Sequence, residues 1–372
     1  KAIAVCLLFS YVNPSHERRV AELFAEECSN KPISISYSVL PKWKEYERAS
    51  TTIADAYIRP LVSHHIGRIE EQFAQRGLGK RVAVIKSNGG EMSLDAATNA
   101  PIQMTLSGPT GGVVGAKHIS SLVGVEHLVT LDMGGTSTDV GALVNGFPRP
   151  ASTSVDVGGV RTNFRMPDVY SIALGGGTII NPEDPISIGP RSVGYRIHED
   201  GLLFGGDILT ATDVAVGLGI ADIGDPEPAK KLGSERLQII KSKIDEMIVN
   251  AAERMRVSSD RIPVLAVGGG SILIPDTVGD LPVVKPNYFA VANAVGAAIG
   301  QISGEVDRIF SLTSISREEA LETARKEATK KAIAAGAKPD SIEILDQEDV
   351  PLAYLPGNAT RIRLKVVGDL NG

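Results

Sequence analysis

The stretch Leu128–Gly146, LVTLDMGGTSTDVGALVNG, decides the fold of this chain. An apolar run from Leu128 to Met133 stops at Gly134-Gly135, and a second apolar run begins after Asp139. Two apolar runs separated by glycines and hydroxyl residues are typical of a β-hairpin. Because glycine can adopt positive φ and has no side chain, a ligand can approach the backbone of such a turn closely. The stretch therefore predicts a hairpin with an open, glycine-lined turn.

The residues around this turn favour binding of a phosphate and a metal ion. Backbone N–H groups and hydroxyls are phosphate donors, and the turn supplies them from Gly134, Gly135, Thr136, Ser137 and Thr138. Asp132 and Asp139 flank the turn, where two carboxylates can hold a hydrated Mg²⁺ beside the phosphates. An ordinary tight hairpin is the alternative, but the full pattern Asp-x-Gly-Gly-Thr-x-Thr-Asp is more specific than a polar turn requires.

Four further glycine-rich breaks are candidate ligand loops. They are Ser87–Gly90 with Asn88 and Gly89, Ser107–Gly112 with Gly111 and Gly112, Gly175–Gly177, and Gly268–Gly270 after the predicted strand Val264–Val267. Glycines at the end of a strand or the start of a helix expose N–H groups to an anion. Close packing of two backbones could equally explain Ser107–Gly112 and Gly175–Gly177. A plain turn is the alternative at Ser87–Gly90, and a strand-to-helix turn is the alternative at Gly268–Gly270, where nucleotide binding is favoured together with the hairpin.

Asp213 is a third candidate carboxylate. It lies in the segment Thr210-Ala211-Thr212-Asp213, which precedes a short apolar helix. An aspartate in this position can act in an active site or cap the helix. The sequence favours neither role.

Several of these motifs resemble a known family. DMGGTSTDV (Asp132–Val140) resembles a phosphate motif of the actin/hexokinase/Hsp70 ATPase superfamily, and SGPTGGVVGA (Ser107–Ala116) is similar to the hydantoinase/oxoprolinase family. The resemblance runs from about Ser10 to Leu312 and includes EYERASTT at Glu45–Thr52. Where the family usually has Asp-x-His, this chain has Asp168-Val169-Tyr170. That departure weakens any transfer of substrate chemistry.

The resemblance implies a ribonuclease H-like, actin-type α/β ATPase fold with a mixed sheet and flanking helices. Residues 1–78 would be the remainder of an N-terminal actin-like domain with connecting helices, and residues 79–312 the nucleotide-binding actin-like domain. Residues 313–372 would form a small α+β region, one helix on a few antiparallel strands.

Hydrophobic periodicity predicts the remaining main elements. The predicted helices are Ser15–Glu27, one or two over Lys44–Gly77 with Pro60 as a kink, Val113–Leu122, Ser234–Met255, Tyr288–Ile302 and Ser316–Gly336. Residues 1–12 and Ile33–Val39 read as strands, the first of them buried. Because the chain opens inside an apolar run without Met, we expect a fragment that lacks the family's additional upstream Asp-x-Gly-Gly-Thr motif.

Composition excludes several classes of protein. The chain has 372 residues and a net charge of −6, which is no electrostatic footprint for nucleic acid. No apolar run has the length of a membrane span, and Cys6 and Cys28 form neither a metal nor a disulfide pattern. We therefore expect a cytoplasmic protein. HExxH, Gly-x-Ser-x-Gly and Walker patterns are missing from the sequence, so its chemistry must come from a bound nucleotide and carboxylates.

The resemblance implies ATP-dependent hydrolysis of a cyclic amide, such as a hydantoin or 5-oxoproline, with ATP and Mg²⁺ as cofactors. Asp132, Asp139 and Asp213 would be catalytic, Gly268, Gly269 and Gly270 would surround the adenosine, and the other glycine loops would line the substrate cleft. A carboxylase subunit of the same family and a non-catalytic nucleotide-binding fragment are the alternatives. As partners we expect a small-molecule substrate and either further copies of the chain or a second family subunit.

Overall fold

The computed structural model describes residues 2–28, 31–42, 44–78, 82–144, 147–149, 151, 155–157, 159–162, 166–256, 260–287, 289–298, 300–313, 315–352 and 358–371. The α-helices are α1 Ser15–Glu27, α2 Ser36–Val39, α3 Glu45–Gln75, α4 Leu94–Asn99, α5 Ser107–Val123, α6 Ile197–Asp200, α7 Ala211–Gly217, α8 Glu227–Lys230, α9 Ser234–Met255, α10 Ala292–Ala298 and α11 Arg317–Ala334. The strands are β1 Ile3–Val5, β2 Ile33–Ile35, β3 Ala83–Ile85, β4 Glu91–Ser93, β5 Leu128–Met133, β6 Thr138–Val144, β7 Phe147–Pro148, β8 Val155–Val157, β9 Val160–Thr162, β10 Val169–Ile172, β11 Thr178–Asn181, β12 Ser187–Ser192, β13 Val264–Val267, β14 Thr277–Val278, β15 Leu281–Val284, β16 Ile302–Ser311, β17 Glu343–Pro351 and β18 Ala359–Gly368. None of the helices in these ranges is long and apolar enough to cross a membrane.

The chain forms two compact units. The first unit comprises Lys1–Ser107, Ser152–Met166 and Gly300–Gly372, and the second comprises Gly108–Ala151 and Pro167–Ile299. The C-terminal segment 313–372 belongs to the same unit as the start of the chain. The three consecutive domains predicted from the sequence stay a prediction.

The second unit is built on a mixed sheet in the order β10-β6-β5-β13-β15-β14, with β7 beside β6. The hairpin partners β5 and β6 are antiparallel, whereas β5, β13 and β15 run parallel to one another. Both faces of the sheet are covered. Because side chains alternate along a strand, Leu131 and Met133 of β5 pack in the cluster that contains α9, and Leu128 packs with α5 and Ala292 of α10.

The first unit contains a five-stranded sheet in the order β17-β18-β16-β4-β3. Helix α11 packs on this sheet through four fully buried alanines that share one helix face, Ala320, Ala324, Ala328 and Ala332. The contact is close, since a Cβ atom added at Gly304 of β16 would lie 2.1 Å from the backbone oxygen of Ala328. The predicted helix on antiparallel strands is therefore present, but β3 and β4, which precede it by more than 200 residues, complete its sheet.

Most predicted elements are confirmed. The hairpin, α1, β13, α9 and α11 match their predicted bounds to within two residues, and Lys44–Gly77 forms one helix that contains Pro60. The last two residues of the quoted stretch, Asn145 and Gly146, lie outside the described residues.

Four predictions about elements were wrong. The opening strand covers only Ile3–Val5. The rest of the predicted strand is not buried, since Leu8 is 74% and Phe9 64% exposed. The predicted strand over residues 33–39 turns into α2 after Ile35. The described residues of the predicted helix 288–302 include a 3₁₀ helix, Phe289–Val291, then α10 and the first residue of β16. Helix α5 begins at Ser107, so the glycines predicted to precede the helix lie within its first turns.

Candidate functional site

The β5–β6 hairpin places two carboxylates side by side next to its turn. Asp132 pairs directly with Asp139, and Met133 pairs with Thr138. Directly paired residues of antiparallel strands project from the same face of the sheet. The turn is closed by a hydrogen bond of 3.0 Å from Gly134 N–H to the backbone oxygen of Ser137. Residues Gly135 and Thr136 at the tip are exposed.

Two glycines from other elements leave room for the Asp132 carboxylate. A Cβ atom added at Gly112 of α5 would lie 2.3 Å from Oδ2 of Asp132. One added at Gly268, which follows β13 and has φ +85°, would lie 2.5 Å from Oδ1. Such distances are far below van der Waals contact, so any side chain at these positions would displace the carboxylate. Close packing, which the sequence left open for Gly112, therefore applies to both glycines.

The Gly175–Gly177 and Gly268–Gly270 loops meet at the hairpin turn. The backbone N–H groups of Gly176 and Gly177 donate to the backbone oxygens of Gly134 and Gly135, at 3.0 and 2.6 Å. A Cβ atom added at Gly270 would lie 2.6 Å from the oxygen of Gly134. In contrast, a Cβ atom at Gly135 or Gly269 would meet no atom within 4 Å. The loops thus hold the turn through its backbone oxygens and leave open space only on the side of Gly135 and Gly269 where a Cβ atom would lie.

Burial and mutual repulsion change the protonation of the two carboxylates. Burial raises the pKa of Asp132 to about 6, with a further contribution from the neighbouring Asp139, while a hydrogen bond from Asn293 acts in the opposite direction. Burial also raises the pKa of Asp139, against a hydrogen bond from Ser171. Two partly buried carboxylates that repel each other favour a proton or a cation between them.

Two residues of this site escape prediction from the sequence. Ser171 of β10 pairs with Asp139, and its hydroxyl donates to Oδ1 of that carboxylate. Asn293 of α10 donates from Nδ2 to Oδ2 of Asp132 over 3.4 Å. Because side chains alternate between the two faces of β10, the sequence could have placed Ser171 on the face opposite to Tyr170. Nothing in the sequence points to Asn293, because it reaches the site only through the packing of α10.

Tyr170 occupies the position where the family usually has histidine, and it lies on the opposite face of β10 from Ser171. It pairs with Val140, and the guanidinium carbon of Arg254 on α9 lies 4.3 Å from its ring centroid. The preceding Asp168 forms an ion pair of 2.5 Å with Arg149, and its N–H donates to the Arg149 backbone oxygen at 2.7 Å. The departure from the family pattern therefore falls on the packing side of the strand, away from Asp139.

Asp213 caps α7. Its Oδ1 accepts from the N–H of Leu203 at 2.8 Å, and its Oδ2 accepts from the N–H and the hydroxyl of Thr210, both at 2.6 Å. Thr210 is the N-cap residue, and the two side chains form a capping box. The helix-cap explanation is thus confirmed, and a catalytic role of Asp213 stays a prediction.

Asn88 and Gly89 lie in the first unit, on the loop that follows β3. Asn88 Oδ1 accepts from the N–H of Gly90 at 3.1 Å, and Gly89 has φ +81°. Beside them, Nζ of the buried Lys86 donates to the backbone oxygen of Ser303 at 2.5 Å, and burial lowers the pKa of Lys86 to about 7. This geometry is that of a tightly held turn, and substrate contact at Asn88 and Gly89 stays a prediction.

A divalent ion at the hairpin would depend on ligands beyond this chain's carboxylates. In the part of the chain that the structure describes, no group of three or more His, Cys, Asp or Glu side chains could hold a metal. Asp132 and Asp139 alone suit Mg²⁺, which is usually held by one or two carboxylates together with phosphate oxygens and water.

Comparison with known proteins identifies this region. Residues 48–225 match the model of the hydantoinase/oxoprolinase family. This region belongs to the hydantoinase/oxoprolinase family. It includes α5, the hairpin, the Gly175–Gly177 loop and Asp213. The resemblance inferred from the motifs is therefore confirmed.

Longer proteins match this chain over much of its length. The chain is 29% identical over 306 residues to caprolactamase subunit alpha of Pseudomonas jessenii. This alignment covers 80% of this chain and 43% of that protein. It is 31% identical over 227 residues to the acetone carboxylase beta subunit of Xanthobacter autotrophicus, covering 59% of this chain and 31% of that protein. The chain thus spans less than half the length of these curated relatives.

The fold is also shared with a solved structure. This structure is nucleotide-free acetone carboxylase, which carries out ATP-dependent acetone carboxylation. The alignment covers 100% of this chain and 65% of the acetone carboxylase chain, with a TM-score of 0.77 and 19% identity. The predicted actin-type α/β fold class, with mixed sheets and flanking helices, is confirmed by this match.

Proposed function

We propose that this chain binds ATP and Mg²⁺ at the β5–β6 turn and serves in the ATP-dependent hydrolysis of a cyclic amide. One observation carries the nucleotide part of the proposal. The paired carboxylates of Asp132 and Asp139 flank a turn whose tip is exposed, and a Cβ atom added at Gly135 would meet no atom within 4 Å. A glycine turn with donors and two adjacent carboxylates is suited to a phosphate chain that carries a divalent ion.

The residues present fit the nucleotide. Gly135 and Thr136 offer N–H or hydroxyl groups to phosphates, whereas Gly134 N–H already donates to the backbone oxygen of Ser137 at 3.0 Å and Thr138 Oγ1 to that of Leu174 at 2.5 Å. Gly269, open in the same way as Gly135, leaves space for the adenosine beside the β13 loop. Asp132 and Asp139 would hold the Mg²⁺.

The chemistry follows from the weakness of an amide as an electrophile. ATP, when bound, supplies a phosphoryl group that converts the amide oxygen into a leaving group. The chain's own contribution is to position the reactants and to stabilise charge. Burial raises the pKa of Asp132 to about 6 in the metal-free chain, so this carboxylate is ionised near neutral pH and available to hold the Mg²⁺.

The family and one relative favour a cyclic amide of the hydantoin, 5-oxoproline or lactam class. Caprolactamase subunit alpha matches this chain over more of its length than the acetone carboxylase beta subunit does. A carboxylase subunit that activates a ketone or bicarbonate is the second candidate, favoured by the 31% identity to the acetone carboxylase beta subunit. A nucleotide-binding chain without catalysis of its own is the third.

The relatives also suggest partners and a location. Both are named as subunits, so we propose that this chain assembles with a second family subunit or with further copies of itself. Dependence on ATP fits the cytoplasm, which we propose as its compartment.

Calorimetry with ATP and Mg²⁺ tests the proposal on this chain and on Asp132→Ala. We expect weak but measurable binding that the substitution removes, because Asp132 lies at the centre of the glycine loops. Equal binding by both proteins would show that the hairpin is only structural.

A substrate panel separates the candidate reactions. Release of phosphate from ATP is measured with hydantoin, 5-oxoproline or caprolactam, and separately with acetone and bicarbonate. Stimulation by a cyclic amide alone supports the amidohydrolase, and stimulation by ketone with bicarbonate supports the carboxylase. Nucleotide binding without stimulation in either arm supports the non-catalytic alternative.

A further inference from the structure

Asn293 joins two parts of the candidate site through one side-chain amide. Its Nδ2 lies 3.1 Å from the backbone oxygen of Gly108 in the first turn of α5, and 3.4 Å from Oδ2 of Asp132. We propose that Asn293 is a positioning residue that holds the Asp132 carboxylate in the orientation required for nucleotide binding at the hairpin turn. This inference rests on the proposed function of the turn.

The position of Asn293 is fixed by backbone contact between α5 and α10. A Cβ atom added at Gly115 would lie 2.1 Å from the backbone oxygen of Ala292, and one added at Gly296 would lie 2.2 Å from that of Gly111. The two contacts are one helical turn apart on α10 and lie on either side of Asn293 in sequence. Because both helices touch through backbone atoms, the backbone of Asn293 is held within side-chain reach of Asp132.

An amide is the side chain that these partners require. Both partners are acceptors, a carbonyl oxygen and a carboxylate oxygen, and the asparagine NH₂ group has two hydrogens to donate. An aspartate at the same position would face two acceptors and repel Asp132. A leucine of similar size would leave the carboxylate without this donor.

Few other groups titrate in the elements that pack around Asp132. Its own strand β5, α10 and the Gly269–Leu273 turn carry no other ionisable side chain, β6 carries Asp139, and α5 carries Lys117 and His118 beyond Gly112. The effect of Asn293 on Asp132 can therefore be separated from that of Asp139 by substitution.

The direct test is an NMR titration of ¹³C-labelled aspartate carboxyls in the full chain without nucleotide. The Asp132 signal is identified by its loss in Asp132→Asn. We expect its midpoint to rise above about 6 in Asn293→Leu, and to rise by about 1 pH unit in Asn293→Asp because a like charge is added. Asn293→Gln, which keeps the amide donor, should restore part of the shift.

Asn250→Asp is the matched control. Asn250 is exposed on α9, so the substitution makes the same change of charge in the same unit. The Asp132 midpoint should be unchanged in this variant. An unchanged midpoint in folded Asn293→Asp would overturn the positioning role. If Asn293→Leu loses its native amide spectrum, comparison of Asn293→Asp with Asn250→Asp still tests the positioning role.

Affinity for ATP and Mg²⁺ provides the second measurement. Loss of a hydrogen bond to a charged group predicts binding about tenfold weaker in Asn293→Leu. If Asp132→Ala binds nucleotide normally, the proposed function fails while the titration still tests Asn293. The positioning role alone is wrong if Asp132→Ala abolishes binding while Asn293→Leu and Asn293→Asp change neither the affinity for ATP and Mg²⁺ nor the Asp132 midpoint.

Discussion

Asp132 and Asp213 are carboxylates of the same unit in opposite environments. Asp213 is fully buried and accepts three hydrogen bonds from neighbouring backbone and side-chain donors. Asp132 is partly buried, accepts one long hydrogen bond from Asn293 and stands beside a second carboxylate. Burial matched by donors stabilises a fold, whereas burial without them favours a proton or a cation. The comparison separates a structural aspartate from a candidate functional one.

Asp213→Ala should produce the largest effect on stability. The substitution removes the partner of the α7 cap and leaves the buried N–H of Leu203 without its acceptor. We expect the free energy of unfolding to fall by about 2–4 kcal/mol, measured by urea denaturation. The comparison breaks if Asp213→Ala is as stable as the parent and instead loses only nucleotide binding or turnover, since Asp213 would then be catalytic.

Gly112→Ala should damage the Asp132 side of the comparison. The added Cβ would lie 2.3 Å from Oδ2 of Asp132 and must displace the carboxylate. We expect a loss of about 1–3 kcal/mol in stability from overpacking and a clear loss of affinity for ATP and Mg²⁺ by calorimetry. Gly108→Ala is the control on the same helix, because a Cβ there meets nothing within 4 Å. Equal behaviour of the two variants would contradict the close approach of α5 to Asp132.

Asp132→Asn should have the smallest effect on stability, with the opposite sign to Asp213→Ala. The pKa of Asp132 rises from 3.8 to about 6 on folding, so the folded state binds more protons than the unfolded state between these values. The contribution of Asp132 to the free energy of unfolding is therefore fully present below pH 4 and is lost as pH rises through 6. We expect Asp132→Asn to gain about 1–2 kcal/mol at pH 7 relative to the parent, with the difference reduced at pH 4.

The same titration predicts how nucleotide binding depends on pH. Affinity of the parent for ATP and Mg²⁺ should weaken as pH falls through about 6, because protonated Asp132 is a poor ligand for a cation. Urea denaturation and calorimetry at several pH values measure the two effects separately. A parent whose stability and affinity are both flat from pH 4 to pH 7 would contradict the raised pKa of Asp132.

Local chemistry made the hairpin predictable from the sequence. The apolar runs, the glycine pair and the two aspartates lie within the Leu128–Val144 segment, so strand propensity and turn chemistry agree there. The four alanines of α11 show the same agreement, with helix propensity and a small buried face in one segment. Both elements formed as predicted.

The rest of the site depends on contacts between distant segments. Asn293 is about 160 residues from Asp132, and only the backbone contact of α10 with α5 brings it there. The prediction of a buried strand for the opening residues failed for a related reason. Leu8 and Phe9 are apolar, but they lie in a turn after β1 and are exposed, so composition alone misplaced them in a core. Periodicity reports which residues prefer burial, and tertiary packing decides which obtain it.

The ion pair between Arg149 and Asp168 also bears on how the chain could change in length. Between these two residues the chain leaves the second unit for Ser152–Met166, which belongs to the first unit, and then returns. The side chains meet at 2.5 Å and the backbones at 2.7 Å, so the exit and re-entry points are joined independently of what lies between. Closing a flexible loop of twice the length adds only about 0.6 kcal/mol. Insertions between residues 152 and 166 should therefore leave the Arg149–Asp168 contact of the second unit in place.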